Sequence, residues 1–278
     1  MGAAVGGACW RAGAERVRGA DPALGELARR LEAAGGAPPR GLEPGPRVPG
    51  GCFEALAKSV AYQQLAGKAA GSIWTRVVQT LGGRVEPGLV LRAGEALRGA
   101  GLSGSKAECI RALARAFEAG DLSDAELESA DEAAVVRSVT AIKGIGAWTA
   151  DMFLIFHLRR PDVLPVGDYG VRKGFMKVYG LSALPDAARM CKIAEVWRPY
   201  RSVGALYMWQ AADDKGSGKA GPNSGSSGGK KRAKRTGENT PPVAPSKKSR
   251  QQQPRSESVR KKAEGGGRAS ARKRLRCT

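Results

Sequence analysis

Two glycines and an aspartate downstream of them carry the most specific chemistry in this sequence. The glycines lie in Ile142-Lys-Gly-Ile-Gly-Ala-Trp-Thr-Ala-Asp-Met-Phe-Leu-Ile-Phe. A helix is predicted to end at Ile142, and an apolar helix resumes by about Trp148. Glycine lets the backbone turn tightly and approach another surface with no side chain between. The amides of Gly144, Gly146 and Ala147 would then stand free at a helix N-terminus, an anion site suited to phosphate. Taken alone, Gly-x-Gly is more often a plain helix-ending turn. Here it is followed by Val163-Leu-Pro-Val-Gly-Asp-Tyr-Gly-Val-Arg-Lys. A stiff Pro-containing loop delivers Asp168 to the start of a helix, whose dipole favours negative charge. A lone Asp there is usually a cap. Hairpin, apolar helix, Pro loop and aspartate in this order form a much rarer combination.

The elements that must position these residues read as helices throughout. Asp21-Pro-Ala-Leu-Gly-Glu-Leu-Ala-Arg-Arg-Leu offers a cap residue, proline at the first helical position and helical apolar spacing. A Gly/Pro-rich linker runs from Gly35 to Gly51. From Phe53 to Leu81 the pattern reads as helical, with Phe53, Leu56, Val60, Leu65, Ile73 and Val77 as its apolar positions. Ser105 to Glu108 and Ser123 to Glu126 read as capping boxes opening helices near 106–119 and 124–130. Asp131 starts another helix that reaches Ile142. No alternating run lasts long enough for a strand, so the expected class is all-α. The predicted organisation is a disordered segment 1–20, a folded domain 21–214 and a disordered basic tail 215–278.

The charge supports that division. Of 46 Lys+Arg and 26 Asp+Glu, 19 and 3 fall from Lys215 onward, leaving 27 and 23 before it. The tail therefore holds +16 of the net +20. It has too little apolar surface to offset its chain entropy, and its expected partners are polyanions or import receptors. The clusters Lys230-Lys-Arg-Ala-Lys-Arg and Arg272-Lys-Arg-Leu-Arg favour nuclear import and a nuclear location. The first 20 residues are only faintly like an organelle transit peptide and lack its serines. The five scattered cysteines suggest neither a disulfide framework nor a zinc or iron–sulfur site. No apolar run approaches a membrane span, so no membrane partner is expected. His157, the single histidine, reads as structural, and no metal site is predicted.

These blocks resemble the helix-hairpin-helix (HhH-GPD) DNA glycosylases, and more narrowly their 3-methyladenine DNA glycosylase II branch. The resemblance covers about Asp21 to Asp213. It also rests on Ser59-Val-Ala-Tyr-Gln-Gln-Leu-Ala-Gly-Lys-Ala-Ala, Gly101-Leu-Ser-Gly-Ser-Lys-Ala and Trp197-Arg-Pro-Tyr-Arg-Ser. It implies a two-lobed helical fold, damaged double-stranded DNA as partner and a monomer acting in base excision repair. It assigns Asp168 as catalytic carboxylate and Gln64 and Leu65 as the plug that fills the gap left by a flipped base. Trp148, Trp209, Tyr62 and Met152 fall at the base pocket, where aromatic faces attract cationic alkylated purines. Gly144, Gly146, Ala147 and Thr149 form the phosphate-binding hairpin. No cofactor is implied beyond a monovalent cation that such hairpins can hold on their carbonyls. Relatives that also nick the strand carry a Schiff-base lysine where this chain has Trp148, so a monofunctional enzyme is expected. Arg201 and Ser202 either contact phosphate or brace the last helix.

Two other readings compete with an alkylpurine glycosylase. One is a damage-binding protein that does not cut, which needs the hairpin but not Asp168 with its pocket. The other is a glycosylase for deaminated or oxidised bases, since Met152 replaces an aromatic found in some relatives. The tail yields a separate prediction. If it contacts DNA, removing residues 215–278 flattens the log–log salt dependence of binding, by roughly 0.9 for each phosphate that the tail neutralises. The single-turnover rate on bound DNA stays nearly unchanged. An unaltered slope assigns the tail to transport or protein partners.

Overall fold

The structure, a computed structural model, describes residues 5–214 apart from 36, 40, 43–47 and 66. The predicted tail 215–278 lies outside the described residues. Thirteen α-helices and no strand are found among those described. In chain order they are α1 (Val5–Ala20), α2 (Pro22–Ala33), α3 (Gly51–Tyr62), α4 (Gly67–Thr80), α5 (Pro87–Ala93) and α6 (Ala96–Gly99). Then come α7 (Gly104–Glu118), α8 (Asp124–Ser129), α9 (Glu132–Thr140) and α10 (Ala147–Met152), which runs on as a π-helical turn, Phe153–His157. The last are α11 (Tyr169–Val178), α12 (Ala187–Ile193), which continues as a 3-10 turn to Trp197, and α13 (Arg201–Asp213).

The helices fall into two groups. The chain's two ends build one: α1 and α2 pack with each other and with α13, which lies along α11. The middle builds the other, where α3 packs against α4, α7 and α8, and α5 against α7. Helix α10 and its π turn lie against α3, so the segment carrying the hairpin joins the middle group. The all-α, two-lobed expectation is met.

Several starts are chemically transparent. Asp21 caps α2, its Oδ1 accepting from the amides of Ala23 and Leu24 at 3.0 and 3.2 Å. Its Oδ2 accepts from Tyr179 Oη at 2.5 Å and Trp197 Nε1 at 2.8 Å, tying the second helix to the late chain. Burial and this aspartate push the Tyr179 phenol up. Ser123 and Asp131 cap α8 and α9 as expected, accepting from the Glu126 and Ala134 amides.

Four expectations need correction. The segment 1–20, predicted to be disordered, is helical from Val5, because Trp10, Ala14 and Val17 recur on one face and are buried. Its glycines and alanines hid that stripe. Helix α7 is capped by Ser103, not Ser105: Ser103 Oγ accepts from the Lys106 amide at 3.3 Å while neighbouring Leu102 is buried. The run from Phe53 to Leu81 is two helices, broken after Tyr62 where Gln64 takes a positive φ of 55°. Finally, Cys52 and Cys109 are thiols as expected, but Cys191 is disulfide-bonded.

The docking of α1 is testable. Trp10 is 3% exposed, and truncating a buried tryptophan to alanine typically costs about 3–5 kcal/mol. Trp10→Ala should lower the urea unfolding free energy by that order. A loss within about 0.5 kcal/mol, typical of a surface change, would mean α1 does not pack.

Candidate DNA-facing site

The hairpin's two glycines have different duties. Gly144 has φ of 99°, a region that side chains avoid. A Cβ there would lie 2.8 Å from Cys109 Sγ on α7. Burial pushes the Cys109 thiol up to about 11, so it serves as inert packing under the turn. Gly146 caps α10 in extended backbone, and a Cβ there would meet nothing within 4 Å. The fold therefore does not require glycine at 146, and the open space above it lets another backbone approach. Ala147 is half-buried beside it, and Ile145 pins the turn into the core.

Thr149 does not belong to that exposed face. It is 1% exposed, and its Oγ1 accepts from Gln63 Nε2 at 2.9 Å. Two residues into α10, its side chain has turned towards the end of α3. The same Gln63 nitrogen donates to Gly144 O at 3.0 Å, and Ile142 O accepts from the Ile145 amide at 3.0 Å. A cation on these carbonyls would have to share them with donors already in place.

Asp168 caps α11 and is 9% exposed. Its Oδ1 accepts from the Val171 amide at 2.8 Å and from Trp209 Nε1 at 2.7 Å. Its Oδ2 accepts from Trp148 Nε1 at 2.7 Å. Among the described residues no lysine or arginine pairs with it, and Oδ2 keeps a lone pair for a further donor. The loop that delivers it is braced from α13. The Arg201 guanidinium donates to both Asp162 oxygens, at 2.8 and 3.0 Å. Ser202 Oγ donates to Arg160 O at 2.7 Å and accepts from the Val163 amide at 2.9 Å. Of the two roles open to Arg201 and Ser202, the structure shows bracing.

Trp148 is shared between the carboxylate and a cavity of about 460 Å³. Tyr62, Trp148, Met152, Phe153 and Phe156 form its apolar walls, with Lys58, Ser59 and His157 as polar groups. Trp209, expected at the base pocket, is not among the lining residues. Its indole is drawn to Asp168 and packs against Phe156, ring centroids 5.5 Å apart. Gln64 is exposed, and Leu65 presents 41% of its surface.

Sequence reasoning missed Lys58, Phe153 and Phe156 because helical spacing makes them ordinary core or surface positions. It also missed Lys106, whose Nζ donates to Ala61 O and Gln63 O at 2.8 and 2.7 Å. That partnership spans more than forty residues of chain, and local spacing carries no trace of it. A further grouping was unexpected. The ligand atoms of Cys52, Glu128 and His157 lie within 4.8 Å of one another, so the single histidine does have metal-type neighbours. Three groups, one of them exposed, fall short of a closed four-ligand site.

A family profile described as HhH-GPD superfamily base excision DNA repair protein matches residues 57–199. The chain belongs to this superfamily. It is 32% identical over 164 residues to DNA-3-methyladenine glycosylase 1 of Schizosaccharomyces pombe, covering 58% of this chain and 72% of that protein. A crystal structure of a DNA-3-methyladenine glycosidase from Bacillus halodurans matches with TM-score 0.59 and 38% identity, covering 72% of this chain and 89% of that one. The S. pombe 3-methyladenine DNA glycosylase Mag1 in complex with abasic DNA matches with TM-score 0.63 and 28% identity, covering 71% and 95%. DNA as the superfamily's partner agrees with a hairpin whose outer glycine faces open space.

The two hairpin glycines should separate cleanly on substitution. Gly146→Ala should leave the melting temperature near wild type while weakening DNA binding. Gly144→Ala should lower the melting temperature, since overpacking costs about 1–3 kcal/mol on top of the unfavourable φ. Equal losses of stability in both would contradict the assignment of different duties.

Proposed function

We propose that this chain is a monofunctional DNA glycosylase that removes alkylated purines, leaving an abasic site for base excision repair. The observation that carries this reading is the Asp168 carboxylate, fixed by two indole N–H groups beside an aromatic cavity that shares Trp148. The target base cannot be reached in the stack and is flipped into the cavity. There Tyr62, Trp148 and Phe156 offer rings to a positively charged purine, each of order 1 kcal/mol. As the bond from C1′ to the base nitrogen breaks, the base leaves with the bonding pair and positive charge develops on the sugar. Asp168, already oriented, stabilises that charge without reorganising. A water then bonds to C1′ and its proton passes to the carboxylate. Tryptophan at position 148 offers no amine for a Schiff base, which supports hydrolysis without strand cleavage.

Gly146 and Ala147 support a phosphate contact, and exposed Gln64 and Leu65 support filling of the vacated stack. The aromatic cavity, the carboxylate and the hairpin all belong to the same chain, which supports a monomer as the acting species. The two basic clusters of residues 215–278 support import-receptor binding and a nuclear location. No helix of the described residues is long and apolar enough to cross a membrane.

One observation favours a second reading, a preference for neutral lesion bases such as deaminated purines. Lys58 lines the cavity, where its ammonium opposes a cationic base and can donate to ring acceptors of a neutral one.

Base release from methylated duplex DNA tests the main reading. Wild type should release 3-methyladenine or 7-methylguanine, with strand breaks appearing only after hot alkali. Asp168→Asn should lose most of the rate, on the order of a hundredfold or more, while still binding the DNA. Binding without release by wild type would favour a damage reader. Release of hypoxanthine in preference to 7-methylguanine would favour the second reading.

A further inference from the structure

We propose that Lys106 and Gln63 are positioning residues that hold residues 63–65 as a preformed wedge in fixed register with the phosphate-facing hairpin. The inference rests on the glycosylase reading. Helix α3 ends at Tyr62, and its last carbonyls need partners that the helix cannot supply. Lys106, at the start of α7, reaches across and donates to Ala61 O at 2.8 Å and Gln63 O at 2.7 Å. A cation is well placed at a helix C-terminus, and partial burial lowers the pKa of this ammonium. From the same turn, Gln63 Nε2 donates to Gly144 O at 3.0 Å and Thr149 Oγ1 at 2.9 Å.

Immediately after these anchors the backbone is strained. Gln64 has φ of 55°, a conformation that persists in a residue with a side chain when its surroundings hold it there. Leu65 follows with 41% of its surface in solvent. An exposed leucine on a strained turn, whose preceding backbone is held by Lys106 and tied through Gln63 to the hairpin, is a rigid projection. Rigidity suits entry into a base stack, because a loose turn would lose conformational freedom at every insertion. The link through Gln63 sets the distance between the projecting residues and Gly146, so phosphate grip and stack entry occur in one register.

The test uses the full chain and a duplex containing a tetrahydrofuran abasic analogue with 2-aminopurine beside it. Entry of the wedge changes 2-aminopurine stacking and hence its fluorescence, without any bond being cleaved. Wild type should alter the signal at saturation. Lys106→Met and Gln63→Leu should bind with similar affinity yet give a clearly smaller change, and Lys106→Arg should restore much of it. On methylated duplex, the two loss variants should release base about tenfold or more slowly. A full signal in both variants, or none in wild type, would overturn the proposal. Failure of wild type to release base with the fluorescence result intact would instead overturn the glycosylase reading. If Lys106→Met does not fold, Gln63→Leu alone decides, because it leaves the lysine contacts in place.

Discussion

The anchoring of one carboxylate constrains everything around it. Asp168 accepts from Trp148 on α10, from the backbone of α11 and from Trp209 on α13. Three helices from both groups therefore meet on two oxygen atoms. The loop before it is stiff on its own account, with Val163 and Leu164 buried and proline at 165. Its approach is set by the Arg201–Asp162 pair and by Ser202. A carboxylate held in this way cannot swing towards a substrate, so the substrate has to be brought to it. A cavity that shares an indole with the carboxylate meets that requirement.

The geometry also explains how two demands on Trp148 are reconciled. Its N–H satisfies Asp168, and its ring forms a wall of the cavity. A lysine could not do both. Trp209, without a place in the cavity lining, gives its N–H to the opposite oxygen and its ring to Phe156. One tryptophan thus couples carboxylate to cavity, and the other couples carboxylate to scaffold. Further out, Gln63 ties the projecting turn to the hairpin, so the proposed DNA-contacting parts share one rigid framework.

Much of this could be read in the sequence where the requirement is local. A positive φ at Gly144, a cap at Asp168 and caps at Asp21, Ser123 and Asp131 are decided within a few residues, and each shows in residue type and spacing. Partnerships across the chain are a different matter. Nothing near Thr149 says that Gln63 will claim its hydroxyl and turn it away from solvent. Nothing near Trp209 says that its N–H will be drawn to Asp168 instead of facing the cavity. Helix α1 was hidden because its buried face is spaced out by glycine and alanine, which dilute the apolar stripe. The break after Tyr62 leaves only a faint trace in the spacing, where Leu65 falls off the stripe formed by Phe53, Leu56 and Val60 and stands in solvent.

The central claim is that two indole N–H groups hold the Asp168 carboxylate in its working position. Trp209→Phe tests it most directly, because that ring lies outside the cavity and phenylalanine preserves the contact with Phe156 while deleting the N–H. A hydrogen bond to a charged group is worth about 1.5–3 kcal/mol, so single-turnover base release should slow by on the order of tenfold or more. DNA affinity should stay close to wild type, and the unfolding free energy should fall by no more than about the same 1.5–3 kcal/mol. An unchanged release rate would contradict the account, as would a loss explained wholly by weaker DNA binding.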